Sequence, residues 1–278
     1  MLTVRYCTTM PIRLIATDLD DTVVRPDKTI GPRTLGALAS ARAAGIAVVP
    51  ISGRHPFSIA AVLAGTGLDG PVIGSNGAVA FDPVGGVALF EEVISVRAQT
   101  ELVTRVRAEL PDVRCVSVRD AGRTFVPERG YVGMMDPGDH GAPAIRDEFD
   151  LDVVLGTPSL KLVLRHDTVD ADALLALARR LDVAGVNPTT SGAPFLEVSA
   201  EGVNKATGLA RYAGLLGIER HEVMAFGDNR NDVELLRWAG IGVAVANALP
   251  EARAAADEVT LSCADDGVGV RIERLLAL

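Results

Sequence analysis

Aromatic residues, cysteines and long apolar runs are scarce in this sequence, and the last two scarcities each argue against a class of protein. Aromatic residues make up 4% of the 278 residues, and the three cysteines, Cys7, Cys115 and Cys263, form no CxxC pair. This spacing indicates reduced thiols in a cytoplasmic protein rather than a disulfide framework. No apolar run reaches the ~18 residues that a membrane-spanning helix requires. We also find no internal repeat and no low-complexity segment.

Positive charge is scarce as well. The formal net charge is −9 at pH 7, and the isoelectric point is about 5.0. A surface of this sign repels nucleic acid and anionic lipid, so we expect neither nucleic acid nor a membrane as a partner. A small phosphorylated metabolite fits this charge provided that a metal ion and a few cations lie in the cleft. The sequence does not predict the oligomeric state.

The length fits two domains better than one large core. Residues 1–10 are short and polar, and we interpret them as an N-terminal tail, neither a signal peptide nor a membrane anchor. In residues 11–82 and again in residues 199–278, apolar strands alternate with helical stretches. This alternation predicts an α/β fold in which helices cover both faces of a parallel sheet.

The sequence pattern predicts the individual elements of this sheet layer. Strands are predicted at 12–16, 46–51, 71–74, 222–226, 241–246 and 258–261. Helices are predicted at 32–44, 56–64, 204–216, 231–239 and 250–256. Prolines near the first turns and glycines just beyond the ends mark several of the helix limits.

The middle of the chain, residues 83–198, follows a different pattern. Short strands are predicted at 113–118, 123–126, 161–165 and 195–198, beside helices at 96–110 and 169–181. Strand pairs beside a helix indicate a small α+β domain inserted into the parallel one. The segment 130–143 is rich in Gly, Asp and Met, and we assign no structure to it.

Polar residues follow directly after four of the predicted parallel strands. They are Asp18 with Asp20, Ser52, Asn76 and Asp228. Ligands of open parallel sheets bind beyond the carboxyl ends of the strands. We therefore expect these residues to meet at one edge of the sheet, although they are far apart in the sequence.

The run Asp18-Leu19-Asp20-Asp21-Thr22 carries three carboxylates that repel one another unless a cation or proton intervenes. A solvated turn or a helix cap is the alternative interpretation, because Asp favours both. A second acidic loop, Gly227 to Asp232, follows another buried strand and weakens that alternative. Oxygen ligands from two such loops suit a hard ion such as Mg²⁺.

An Asp bound to Mg²⁺ can attack phosphorus, since the metal reduces the repulsion between two anions. Asp18 is the candidate nucleophile, and Asp20 can protonate the leaving oxygen and later activate water. Ser52, the Gly53 N–H and Lys205 can donate to the phosphoryl oxygens. Taken alone, Ser52 is typical of a turn and Lys205 of a helix surface.

The ordered set of motifs resembles the haloacid dehalogenase-like phosphatases. The motifs are Asp18-x-Asp20-x-Thr22, Ser52-Gly53-Arg54, Lys205 and Gly227-Asp228-x-x-Asn231-Asp232. Ser75-Asn76-Gly77-Ala78 and the stretch 243–260 are similar to the Cof-type, sugar-phosphatase-like branch. The resemblance covers both core segments throughout and extends loosely over the middle.

This resemblance implies a Rossmann-like core with an inserted cap of the larger α+β type. It implies that Asp18 forms an aspartyl-phosphate and that Asp20 is the acid and base. Mg²⁺ would be held by Asp18, the carbonyl oxygen of Asp20 and Asp228. The implied supporting roles are orientation of a metal-bound water (Asp232), support of the phosphate site (Asn231) and fixation of nucleophile and phosphoryl group (Lys205).

The sequence departs from the branch at two positions. Asp21 stands where Gly is usual, and Ser52 stands where Thr is commoner, but neither change removes a chemical group. The four histidines share no metal-ligand spacing, and we expect each of them to be a surface or partly packed residue. His55 is close enough to Ser52 in sequence to touch a substrate. Gly65 to Gly70 has the spacing of a dinucleotide-binding loop but follows a helix and precedes a strand, so we reject that interpretation.

The leading hypothesis is hydrolysis of a small phosphate monoester such as a sugar phosphate. A sugar-phosphate phosphomutase is the closest alternative, because one mutase lineage shares the motifs and the cap type. A dehalogenase has no need of the acid and base that Asp20 supplies. A non-catalytic, metal-stabilised binding module is the alternative from a different class of protein.

Overall fold

A computed structural model describes residues 12–135 and 147–277 of the chain. The predicted N-terminal tail, Cys7 and most of the unassigned segment 130–143 lie outside the described residues. Within the described ranges, no helix combines the length and the apolar character that crossing a membrane requires.

The described elements alternate between strands and helices at both ends of the chain. The N-terminal part contains β1 (Leu14–Thr17), α1 (Pro32–Ala43), β2 (Ala47–Pro50), α2 (Pro56–Leu63), β3 (Val72–Gly74), β4 (Val79–Asp82) and β5 (Val87–Glu91). The middle contains α3 (Val96–Glu109), β6 (Arg114–Arg119), β7 (Thr124–Pro127), α4 (Leu151–Leu155), β8 (Lys161–Arg165), α5 (Ala171–Leu181), β9 (Val186–Thr189) and β10 (Leu196–Ala200). The C-terminal part contains α6 (Lys205–Leu215), β11 (Val223–Gly227), α7 (Val233–Trp238), β12 (Ile241–Ala244), α8 (Pro250–Ala255), β13 (Glu258–Val259) and α9 (Gly267–Leu276).

The core is a five-stranded parallel sheet in the order β13-β12-β11-β1-β2. An isolated bridge between Ile51 and Ile73 continues it into the antiparallel sheet β3-β4-β5. Alternate residues of β1 face opposite sides of the sheet, as the period of a strand requires. Ile15 packs in the cluster that contains Leu38 of α1, and Leu14 packs in the cluster that contains Leu209 of α6.

The middle of the chain forms a second sheet, which we call the cap sheet, in the order β7-β6-β8-β10-β9. All its pairings are antiparallel, and apolar residues of α3 and α5 pack against one of its faces. The predicted fold class, a Rossmann-like α/β core with an α+β cap, is confirmed. The predicted domain boundaries at residues 83 and 198 stay a prediction.

The start of α6 lies against a tight turn that follows β3, and glycine makes this contact close. Gly77 has a φ of 96°, and a Cβ atom there would overlap the backbone of Asn204. A Cβ atom on Gly208, one turn further along α6, would lie 2.5 Å from the Cα atom of Gly77. This approach fixes the N-terminal end of α6, which carries Lys205.

Two glycines of α6 provide a matched test of this packing. We expect Gly208→Ala to lower the free energy of unfolding by about 1–3 kcal/mol, because its methyl group meets backbone that has little freedom to move. Gly214→Ala should raise it by about 0.5–1 kcal/mol, because a Cβ there meets nothing within 4 Å and Ala is the better helix former. Urea unfolding of both variants measures the difference. Equal effects of the two substitutions would contradict the close contact.

Candidate active site

Three strand ends bring the predicted polar residues together. β1 pairs with β11 on one side and with β2 on the other, so Asp18, Asp228 and Ser52 follow neighbouring strands. The Asp18 N–H donates to the carbonyl oxygen of Phe226 at 3.0 Å, which extends the β1–β11 ladder up to the site. This edge is also where the chain order of the sheet reverses direction, the usual place for a ligand in an open α/β sheet.

Lys205 is the centre of a buried cluster of charges. Its Nζ atom donates to Asp18 Oδ1 and to Asp232 Oδ1, each at 2.6 Å, and its side chain is 0% exposed. Asn204 caps α6 by accepting from Thr207 N–H, so the helix begins where the lysine is needed. The two carboxylates raise the pKa of Lys205 against the opposing effect of burial.

Asp232 is fully buried, and both of its carboxylate oxygens have partners. Oδ1 accepts from Lys205, and Oδ2 accepts from the backbone N–H groups of Asp228 and Asn229 at 3.1 and 3.0 Å. These bonds shape the acidic loop and position Asp228. A carboxylate bonded in this way can support a metal site, and the supporting role of Asp232 stays a prediction.

Oxygen atoms of Asp18, Asp228 and Asp232 all lie within 4.8 Å of one another. Burial raises the pKa of Asp18 well above its ordinary value, and Asp232 and Asp228 add to this rise. Burial and Asp232 also raise the pKa of Asp228 to about 7, although the Thr22 hydroxyl donates to Asp228 Oδ1 at 2.7 Å. Three carboxylates against one ammonium leave an excess of negative charge. The donor set therefore fits a hard divalent cation such as Mg²⁺.

Asp20 is held in a bidentate ion pair. Arg54 Nε and Nη2 donate to its two oxygens, each at 2.6 Å, and Arg54 also donates to Ser58 Oγ at 3.1 Å. The bonds to Asp20 raise the pKa of Arg54. In this position Asp20 lines the same cavity as Asp18, and each of its oxygens keeps a second lone pair through which it can exchange a proton with a ligand.

A chain of amides connects the predicted phosphate site to the cap. Asn231 Nδ2 donates to Asn76 Oδ1 at 2.9 Å, and Asn76 Nδ2 donates to Glu197 Oε2 at 3.2 Å. Because a carboxylate only accepts, Glu197 fixes the orientation of both amides. Ser52 lies at the same edge, with its Oγ accepting from Arg54 N–H at 3.2 Å.

Lys161 and Glu197 form a buried ion pair on the cap sheet. Lys161 Nζ donates to Glu197 Oε1 at 2.7 Å and to the carbonyl oxygen of Gly53 at 2.8 Å. The predicted phosphate residue Gly53 thus accepts a bond from the cap, and a Cβ atom there would lie 3.1 Å from Asn76 and Glu197. Cap and core meet through this cluster.

Two residues left open by the sequence now have structural explanations. Asp21 has a φ of 57°, the left-handed region that Gly favours and Asp tolerates, and its carbonyl oxygen accepts from Asn247 at 2.7 Å. His55 is buried, not at the surface, and its side chain caps α2. Its ring meets the ring of Phe125 edge-on, with 5.1 Å between the ring centroids.

Several residues that form bonds at the candidate site were not assigned a role from the sequence. They are Thr22, Arg54, Asn76, Lys161 and Glu197. The first three lie inside motifs in which the roles were assigned to neighbouring residues instead. Glu197 does carry a signal, since it is the single charge in the apolar predicted strand 195–198, whereas Lys161 shares the predicted strand 161–165 with Arg165.

The site opens into a cavity of about 410 Å³ between the core and the cap. Its core side is polar and includes Asp18, Asp20, Ser52, Asp228 and Asn231. A volume of this size is typical of a small-molecule site.

Comparisons with known proteins show the family to which the chain belongs. The family model for haloacid dehalogenase-like hydrolases matches residues 15–272. A phosphoglycolate phosphatase of Natronomonas pharaonis is 30% identical over 94% of this chain and 96% of its own length. A pyridoxal phosphate phosphatase of Escherichia coli is 28% identical over 90% of this chain and 93% of its own length. A solved phosphatase structure from Bacteroides thetaiotaomicron has a TM-score of 0.79 at 23% identity, over 99% of this chain and 98% of that chain.

The chain belongs to the haloacid dehalogenase-like hydrolases, because the family model matches nearly its whole length. The predicted family is therefore confirmed, and so is the predicted enzyme class, a phosphoric monoester hydrolase, since the relatives are phosphatases. The solved structure shares the fold. The roles of individual residues stay predictions.

The charge excess predicts the effect of Asp228→Asn on the metal-free protein. Because the folded-state pKa of Asp228 is raised to about 7, its ionisation costs stability progressively as the pH rises from about 4 to about 7. We expect Asp228→Asn, which keeps an acceptor for Thr22, to stabilise the protein by up to about 4 kcal/mol at pH 8 and by little at pH 4.

Thermal unfolding at both pH values, with and without Mg²⁺, measures this effect. Mg²⁺ should raise the Tm of the unsubstituted protein and have little effect on the variant. The exposed Asp167→Asn serves as the control and should change neither quantity. A loss of stability in Asp228→Asn that is the same at both pH values would contradict the interpretation.

Proposed function

We propose that this protein is a Mg²⁺-dependent phosphatase that hydrolyses a small phosphate monoester through an aspartyl-phosphate on Asp18. The observation that carries the proposal is the buried cluster of Asp18, Asp228 and Asp232 around the single ammonium of Lys205. Such an excess of buried negative charge costs free energy unless a cation is bound beside it. Two of the relatives are named for phosphoglycolate and pyridoxal phosphate, which are small phosphorylated metabolites.

Asp18, the carbonyl oxygen of Asp20 and Asp228 would hold Mg²⁺, and Asp232 would support its bound water. When bound, the ion neutralises charge on both the nucleophile and the phosphoryl group. Lys205 keeps Asp18 oriented and favours its ionised, nucleophilic form. Ser52, the Gly53 N–H, Lys205 and Asn231 are the proposed donors and supports for the phosphoryl oxygens.

The reaction proceeds in two displacements. An oxygen of Asp18 attacks phosphorus, the bond to the leaving oxygen breaks, and Asp20 donates its proton to that oxygen. Asp20 then accepts a proton from the water that attacks the phosphorus of the aspartyl-phosphate, which releases phosphate and restores Asp18. Arg54 orients Asp20 between these steps through its fork of donors.

The first test addresses the nucleophile. We expect hydrolysis of 4-nitrophenyl phosphate with Mg²⁺, loss of activity with EDTA, and a decrease in kcat of at least about 1,000-fold in Asp18→Asn, because an amide oxygen is a far weaker nucleophile. Asp27→Asn, at an exposed position of the same loop, is the control and should remain active.

Full activity of Asp18→Asn would refute the mechanism. No hydrolysis of any phosphate ester would favour the binding module, and isomerisation of a hexose phosphate that depends on a bisphosphate would favour the phosphomutase.

The second test separates the two roles of Asp20. The 4-nitrophenolate ion leaves without a proton, so Asp20→Asn should still form the aspartyl-phosphate from this ester but hydrolyse it slowly. We expect a burst of one nitrophenolate per active site followed by turnover at least about 100-fold slower than that of the unsubstituted enzyme. Stopped-flow absorbance measures both phases. Slow release without a burst would show that Asp20 is needed for the first displacement itself.

A further inference from the structure

The cap contributes an apolar wall to the cavity, which we call the apolar roof. It consists of Val116, Val118, Phe125, Tyr131, Val163 and Phe195, all of which line the cavity. The strand register places Val118 opposite Phe125 and Val116 opposite Val163. These residues therefore share one face of the cap sheet, and Tyr131 and Phe195 pack against it.

The other face of the same strands is also apolar. Cys115, Leu162 and Leu164 alternate with the roof residues and pack beneath α3 and α5. An antiparallel sheet that is covered by helices on one face usually presents polar side chains on the other. Here the second face carries the roof residues beside one buried ion pair, Lys161 with Glu197. The apolar part of this face meets the cavity, so the roof is not explained by the packing of the cap itself.

The polar side chains of the cap that line the cavity are engaged within the protein. Lys161 is bonded to Glu197 and to the Gly53 carbonyl oxygen. Glu197 also accepts from Asn76, and Ser191 donates to it. Among the described lining residues of the cap, the phenol of Tyr131 is the one other polar side-chain group. A ligand facing the roof would find few donors and acceptors for hydroxyl groups.

Building on the proposed phosphatase function, we propose that the substrate is a phosphate monoester whose alcohol part is a flat, largely apolar ring, aromatic or heteroaromatic, rather than a polyol. The phosphate meets the polar core side, and the ring lies against the roof. Phe125, Tyr131 and Phe195 offer aromatic surface for such a ring. Each sugar hydroxyl buried there without a partner weakens binding about tenfold.

A pair of substrates with similar leaving groups tests this inference. Benzyl phosphate and ribose 5-phosphate are both esters of primary alcohols, so a difference in kcat/KM reports recognition of the alcohol part. We expect kcat/KM to be at least about 30-fold higher for benzyl phosphate, which corresponds to losing one to two hydroxyl partners. 4-Nitrophenyl phosphate, measured alongside, establishes phosphatase activity independently.

Variants then assign the preference to the roof. Val118→Thr and Val163→Thr keep the side-chain shape and add a hydroxyl, and each should reduce the ratio of the two kcat/KM values about three- to tenfold. Val153→Thr is a matched control on α4, because Val153 is 47% exposed and lies outside the cavity lining. The Tm of each variant shows that it is folded.

The outcomes separate the two proposals. A ratio near or below one in the unsubstituted enzyme overturns the assigned substrate class while hydrolysis of 4-nitrophenyl phosphate leaves the phosphatase proposal intact. A ratio that is unchanged in both roof variants also overturns the assignment. Failure to hydrolyse any ester overturns both proposals.

Discussion

The buried ammonium of Lys205 would destabilise the fold if no carboxylate lay beside it. The position of Lys205 therefore constrains where the core elements that carry its partners can lie. Its two partners follow different strands, Asp18 after β1 and Asp232 after β11, while the lysine itself begins α6. The close contact of Gly208 with Gly77 holds that helix against the sheet edge. Because one ammonium cannot balance the carboxylates around it, the same constraint leaves the excess charge that a divalent cation would neutralise.

The ion pairs of Lys161 and of Arg54, which line the cavity, each lie within one part of the protein. Lys161 and Glu197 both lie on the cap sheet, and Arg54 and Asp20 both lie in the core. Bonds between the two parts at the cavity instead involve neutral groups, the Gly53 carbonyl oxygen and the Asn76 amide. Opening the cleft would therefore expose polar groups to water without separating a buried ion pair, and that exchange costs far less free energy.

The sequence was sufficient for most of the core because the strand ends and the candidate functional residues coincide there. A buried parallel strand is a short apolar run, and the polar residue after it marks the edge of the sheet at which the candidate site lies, as with Asp18 and Asp228. The hairpin of β4 and β5 was missed because Pro83–Gly86 indicated a change of domain. α9 was missed because Gly267 and Gly269 argue against a helix, although each permits backbone contact too close for a side chain.

The cap was less predictable, and the reason is physical. Between the two arginines of β6 (Arg114–Arg119), valine alternates with a small residue, and both faces of the strand are buried. One face packs against helices, and the other lines the cavity. Periodicity alone does not distinguish these faces, since only the tertiary arrangement decides which of them meets the site. In the mechanism that we propose, the chemical step thus depends on short local motifs, whereas the choice of substrate depends on strand pairings between distant segments. Under this proposal, proteins with the same motifs can accept different phosphate esters.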